Sequence, residues 1–112
     1  MIVFEGLTRR ERIVEILRSS CRPLTIYEIA LRLDISDRRQ IKNLYDDMFH
    51  VAKSIYRNSG GKEMVVMVYP RCMDCGYIFK DLKKPRKPSK CPRCKSSRIE
   101  PPKFYLISML KK

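Results

Sequence analysis

Three amphipathic helical segments, two β-branched apolar runs that follow them, and two tight cysteine pairs lying between those runs predict an α+β chain. Residues 1–70 read as three helices and a first strand. Residues 71–101 read as a four-cysteine unit, and 102–112 as a strand returning to pair with the first. The cysteine unit would then sit at the tip of a β-hairpin.

Residues 8–19, TRRERIVEILRS, form the first helical pattern. Thr8 and Glu11 have the spacing of a capping box, and Ile13, Ile16 and Leu17 recur at helical intervals. SSCRPL interrupts the pattern, with Pro23 as punctuation. Thr25 and Glu28 make a second capping box. The short helix after it, to about Leu33, presents Ile26, Ile29, Ala30 and Leu33 on one side. DIS is a turn, with Ser36 as the expected cap of a third helix. That helix keeps Ile41, Leu44, Tyr45, Met48, Val51, Ala52 and Ile55 on one face and extends to about Arg57. NSGG ends it, with Gly60 or Gly61 free to take a positive φ. EMVVMVYP and PPKFYLISML are the two strands, paired antiparallel. A short second helix, a three-residue turn, a longer third helix and a hairpin are the order of a winged helix-turn-helix, the hairpin being its wing. Small helical domains with protein-docking roles share that order.

Cys72, Cys75, Cys91 and Cys94 are spaced C-x2-C-x15-C-x2-C. Each pair can turn both sulfurs toward one ion, and two pairs complete a tetrahedron with metal–sulfur distances of roughly 2.3 Å. Gly76 follows the first pair where the turn needs a positive φ, and Pro92 stiffens the second. Four thiolates leave no open coordination position, so the predicted ion is structural. Zinc is the expected metal, and iron the alternative, because a four-thiolate site also holds a single redox iron. CGYIF and CPRC look rubredoxin-like, but rubredoxins have a longer spacer and a packed aromatic core with tryptophan, which this chain lacks. Disulfides rarely persist in cytosol. Residues 71–100 offer only Tyr77, Ile78, Phe79, Leu82 and Ile99 as sizeable apolar groups, too few for a core without metal.

The longest apolar runs are far shorter than the roughly 20 residues that cross a bilayer, and the N-terminus lacks a signal-peptide pattern, so a cytoplasmic location is expected. The formal net charge is +13, which favours a polyanionic partner. Residues 70–112 hold 13 Lys and Arg against 3 Asp and Glu, a net +10, so the cysteine segment carries most of the field. No catalytic constellation is present: there is one histidine, and no nucleophile elbow or phosphate-binding glycine loop. The chain is read as a non-enzyme.

PLTIYEIALRLDIS, HVAKSI and VYPRCMDCGYIFKDLKKPRKPSKCPRCKSSRIEPPKFYLI resemble a family of archaeal predicted transcriptional regulators that join a winged helix-turn-helix to a rubredoxin-like zinc ribbon. The resemblance spans about residues 8–109, with the ribbon and its EPP-x-F return the most specific part. It implies a metal-bearing cytoplasmic DNA-binding protein whose ribbon emerges from the wing.

Candidate contacts to double-stranded DNA follow from the third helix. Opposite its apolar face lie Arg39, Lys42, Asn43, Asp46 and His50, with Arg38 and Gln40 on the flanks. Arg or Lys suits guanine and Asn suits adenine. Such a face is otherwise simply solvated, and Asp46 and Asp47 argue against a reading role because phosphates repel them. Lys83, Lys84, Arg86 and Lys87, in a loop kept extended by Pro85 and Pro88, are a sequence-independent phosphate footprint, or else a stiff soluble loop. His50 is expected at the surface and Cys21 in a buried apolar position. A dimer would suit a palindromic site, though no sequence feature demands one. The alternatives are a zinc-ribbon adaptor docking on a protein or ribonucleoprotein, and a rubredoxin-like electron carrier.

Overall fold

A computed structural model describes residues 6–108; residues 109–112 of the expected return strand lie outside them. The elements are α1 (Arg9–Ser19), β1 (Leu24–Thr25), α2 (Ile26–Arg32), α3 (Arg38–Asn58), β2 (Glu63–Val68), β3 (Arg71–Cys72), β4 (Ile99–Glu100) and β5 (Lys103–Ser108). No helix among the described residues is long and apolar enough to cross a membrane.

Both expected capping boxes form. Thr8 Oγ1 accepts from the Glu11 amide at 3.2 Å, while Glu11 Oε1 accepts from the Thr8 amide at 3.0 Å. Thr25 and Glu28 repeat this at 3.1 and 3.0 Å. α2 ends with Asp34 at φ 59°, and the Ile35 amide reaches back to the Ala30 carbonyl at 2.9 Å. Ile35 thereby turns inward against the core. The cap of α3 is Asp37, not Ser36. Its carboxylate accepts from the Arg39 amide at 2.7 Å, where its charge also complements the helix N-terminus. At the other end both glycines take positive φ. Gly61 donates to the Tyr56 carbonyl and Gly60 to that of Arg57.

Ile13, Ile16 and Leu17 of α1, Ile26 and Ile29 of α2, and Leu44, Met48, Val51 and Ile55 of α3 converge on one core, which Phe104 of β5 seals from the sheet side. In the sheet, ordered β1-β5-β2, the two long strands pair antiparallel from Glu63 with Ser108 to Val68 with Lys103. Val65, Met67, Leu106 and Phe104 face the helices. Met64, Val66, Tyr105 and Ile107 alternate onto the other face, half-buried and outside the core. Arg18 of α1 grips Glu63 with two hydrogen bonds of 2.6 and 3.0 Å. Residues 69–102 leave and re-enter this hairpin at adjacent points, with Pro70 and Pro102 fully buried at the junction.

Glu28 makes a prediction about acid stability. Its carboxylate takes a 2.6 Å ion pair from Arg22 as well as the Thr25 amide. Chiefly through Arg22, its pKa falls from the ordinary 4.5 to about 2. A carboxylate with a depressed folded pKa stabilises above its unfolded value and loses that contribution as pH falls through the folded one. This part of the stability should vanish between pH 4.5 and about 2, and Glu28→Gln should remove that part of the slope. An NMR titration of the Glu28 carboxyl carbon checks it directly. A midpoint at the ordinary value would refute the assignment.

Candidate metal centre and adjoining basic surface

Two turns of matching hydrogen-bond pattern build the centre. In the first, the Cys72 amide donates to the Tyr77 carbonyl at 2.8 Å and the Gly76 amide to the Cys72 carbonyl at 2.9 Å. In the second, the Cys91 amide donates to the Ser96 carbonyl at 2.8 Å and the Lys95 amide to that of Cys91 at 2.9 Å. Gly76 at φ 79° and Lys95 at φ 65° occupy equivalent positions, so one turn meets the left-handed requirement with glycine and the other with a strained lysine.

The four sulfurs lie within 4.8 Å of one another. The Cys72–Cys94 and Cys75–Cys91 separations are 3.5 and 3.6 Å. A tetrahedron with 2.3 Å metal–sulfur legs has edges of about 3.8 Å, so the sulfurs are already spaced for one ion. The donor set suits it too. Burial pushes the Cys72 thiol up, but the Cys75 and Asp74 amides and the neighbouring thiols bring it down, while hydrogen bonding among the sulfurs raises Cys75 and Cys94, so the four share their protons as one cluster. The Arg93 amide points at the Cys91 sulfur at 3.4 Å.

Asp74, between the first two ligands, locks the turns together. It accepts from the Ser96 hydroxyl and, at 2.8 Å, from the Arg98 guanidinium. The apolar filling is Cys72, Cys91 and Ile99, with Tyr77 and Phe79 packed edge to face against it, ring centroids 5.0 Å apart.

The basic loop does not swing free of the helices. Lys84 Nζ lies 5.5 Å from the centroid of the Phe49 ring on α3, and Lys87 Nζ 5.9 Å from that of Tyr27 on α2. Pro88 is buried and Pro85 half-buried, while Lys83 and Arg86 are exposed. Arg38, Arg39, Lys42 and Asn43 are all exposed on α3. The ribbon loop and the α3 face are therefore neighbours. Neither Phe49 nor Tyr27 stood out in the sequence. The one hint was Phe49 at helical spacing from Lys53, whose ammonium sits 4.2 Å from the ring centroid.

Two expectations need correction. Asp47 is not on the outer face of α3. It is buried against α1, paired with Arg9 at 2.5 Å and Arg10 at 3.0 Å. Asp46 stays exposed, near His50 at 3.6 Å and Arg10 at 4.0 Å. Cys21 is exposed rather than buried; it sits in a turn set by the Ser20 hydroxyl donating to the Arg22 carbonyl.

A three-helix unit carrying a four-cysteine ribbon between paired strands defines the class: a small α+β protein with a structural zinc site. The chain belongs to the PF0610-like family. Residues 8–65 match the PF0610-like N-terminal domain, and residues 70–109 match the PF0610 rubredoxin-like zinc β-ribbon domain. The solution NMR structure of protein PF0610 from Pyrococcus furiosus is similar over 96% of this chain and 95% of that one, with 31% identity and a TM-score of 0.70. No curated protein matches the chain. The four cysteines thus hold one structural zinc ion.

Zinc removal should separate the two parts of the molecule. Structural zinc contributes roughly 10–16 kcal/mol in small peptides, and the ribbon's own apolar filling cannot replace it. Chelation, or Cys91→Ser, should collapse the amide resonances of residues 71–100 and leave those of the three helices dispersed. Ribbon resonances that stay dispersed in metal-free protein would show that zinc is dispensable for its fold.

Proposed function

We propose that the protein is a DNA-binding transcriptional regulator. A winged helix-turn-helix inserts α3 in a major groove, and the zinc ribbon, in place of a simple wing tip, lays its basic loop on the phosphate backbone. The order of three helices and a hairpin, with the β1-β5-β2 sheet, supports this reading. One observation carries the reading: Lys84 and Lys87 of the ribbon pack beside the helices, Lys84 against the one that presents Arg39, Lys42 and Asn43. In this reading the charge borne by the two segments forms one surface. The turning of Asp47 toward α1 takes one of the two carboxylates off that surface, and Asp46 stays exposed beside His50 and Arg10.

In this reading Arg38, Arg39, Lys42 and Asn43 lie at the groove. Lys83, Lys84, Arg86 and Lys87 position the protein without reading sequence. Two copies on a palindromic site are consistent with it.

A second reading, an adaptor docking on a protein or ribonucleoprotein, is favoured by a different observation. Val66, Tyr105 and Ile107, half-buried and outside the core, leave the outer sheet face apolar. A stable protein partner recovered with the metal-loaded chain, together with no DNA binding at low salt, would select it.

The regulator reading is tested by fluorescence anisotropy of zinc-loaded protein on mixed-sequence duplex across a salt series. Affinity should fall by orders of magnitude between about 50 and 200 mM salt, as several phosphate contacts require. Neutralising Lys83, Lys84, Arg86 and Lys87 together should weaken binding to every sequence. It should also flatten the log–log slope by about 0.9 for each phosphate no longer neutralised. Arg39→Ala should instead cost about 1–3 kcal/mol on one operator and relax preference at one position. An unchanged slope in the quadruple variant would remove the ribbon loop from the interface.

A further inference from the structure

We propose that the hollow between α3 and β2 binds a small amphipathic carboxylate, a site that goes beyond the nucleic-acid reading. The hollow measures about 580 Å³, inside the range of roughly 300–1,000 Å³ typical of small-molecule sites. Phe49, Ala52 and Tyr56 line it from successive turns of α3, and Val65 closes it from β2, with Met64 at the strand edge. Tyr56 forms its end wall by lying over the bare turn at Gly61, where a Cβ would come within 3.4 Å of the tyrosine ring.

The occupant's charge follows from the rim. Lys53 and Arg57, one turn apart on α3, border the hollow and are exposed. Neither pairs with a carboxylate among the described residues. The Lys53 ammonium already rests against the apolar wall, 4.2 Å from the Phe49 centroid. An apolar recess with two uncompensated cations at its rim, and the Lys84 ammonium 5.5 Å from the same Phe49 ring, suits a ligand with one hydrocarbon or aryl part and one anionic head. A guanidinium beside an ammonium matches a single planar carboxylate: the fork of Arg57 engages both oxygens, and Lys53 adds a point charge. A polyphosphate would leave the apolar wall without a partner, and a neutral hydrocarbon would leave the cations without one.

The test uses the full zinc-loaded chain without nucleic acid, so its outcome is independent of DNA binding. Decanoate is the probe and decanol the neutral control, each titrated by calorimetry and by amide chemical shifts. Decanoate should bind saturably at one site per chain, with shifts centred on Ala52, Tyr56 and Val65. Decanol should bind at least tenfold more weakly. Lys53→Gln with Arg57→Gln, both at exposed positions, should reduce decanoate to the level of decanol while leaving the amide spectrum folded. Equal affinity for acid and alcohol, insensitivity to the double variant, shifts centred on the outer sheet face, or no saturable binding would each overturn the proposal. So would a dimer in sedimentation that Tyr56→Glu dissolves, since a second copy would then fill the hollow.

Discussion

Four sulfurs meeting at one point are the constraint on which the C-terminal third depends. The ribbon has two very short strands, Arg71–Cys72 and Ile99–Glu100, and a filling of a few side chains. Neither can hold some thirty residues in one shape. The metal closes the loop from Cys75 to Cys91 and fixes where Lys83 to Lys87 emerge. Asp74 then ties one turn to the other through Ser96 and Arg98. The hairpin of β2 and β5 transmits the result. Because Val68 pairs with Lys103 directly below the ribbon, the ribbon's position is set by the same strands that roof the helical core. Loss of the ion would therefore dissolve the loop's placement while leaving the register of the hairpin intact.

The third helix is held from several sides at once. Leu44, Met48, Val51 and Ile55 anchor it in the core. Asp47, on the flank, binds it to α1 through two arginines. A buried carboxylate is costly unless its oxygens are matched, and here the partners keep their guanidinium groups partly in solvent. This arrangement also explains how an acidic pair can sit in a helix with a basic outer face. One carboxylate is turned inward and consumed, and the other is flanked by Arg10 and His50.

Much of this was legible because it is local. Capping boxes at Thr8 and Thr25 are specified within four residues, and the cysteine spacing dictates the two turns before any tertiary contact forms. The antiparallel pairing of EMVVMV with KFYLIS followed from pattern and order alone. What escaped depends on contacts between distant residues. Ser36 and Asp37 are both good caps, and only the position at which α3 begins decides between them. The two-residue strand Leu24–Thr25 is too short to have a period and exists because β5 runs beside it. Asp47 looked like a surface acid because its partners, Arg9 and Arg10, lie far earlier in the chain. Cys21 was expected inside on residue type, whereas the turn around Ser20 directs it out. The hollow beside Tyr56 needs both a helix and a strand to exist.

Cations crowd in this molecule where they repel, and the cost has a physical offset only in part. The ribbon's excess of basic residues is partly answered within the ribbon itself. A zinc ion with four thiolates carries a formal charge of about −2, and Arg93, Lys95 and Arg98 lie close to it in sequence. That offset does not reach the loop, which is placed beside an already basic helix. Packing of Lys84 and Lys87 against aromatic faces compensates some of the repulsion, since a ring face attracts an ammonium by roughly 0.5–1 kcal/mol at exposed sites. An anionic partner spanning both segments would relieve the rest by more than the sum of two isolated patches, because each cation it neutralises also ceases to repel its neighbours. On the reading proposed above that partner is a duplex backbone, whose negative charge is regularly spaced.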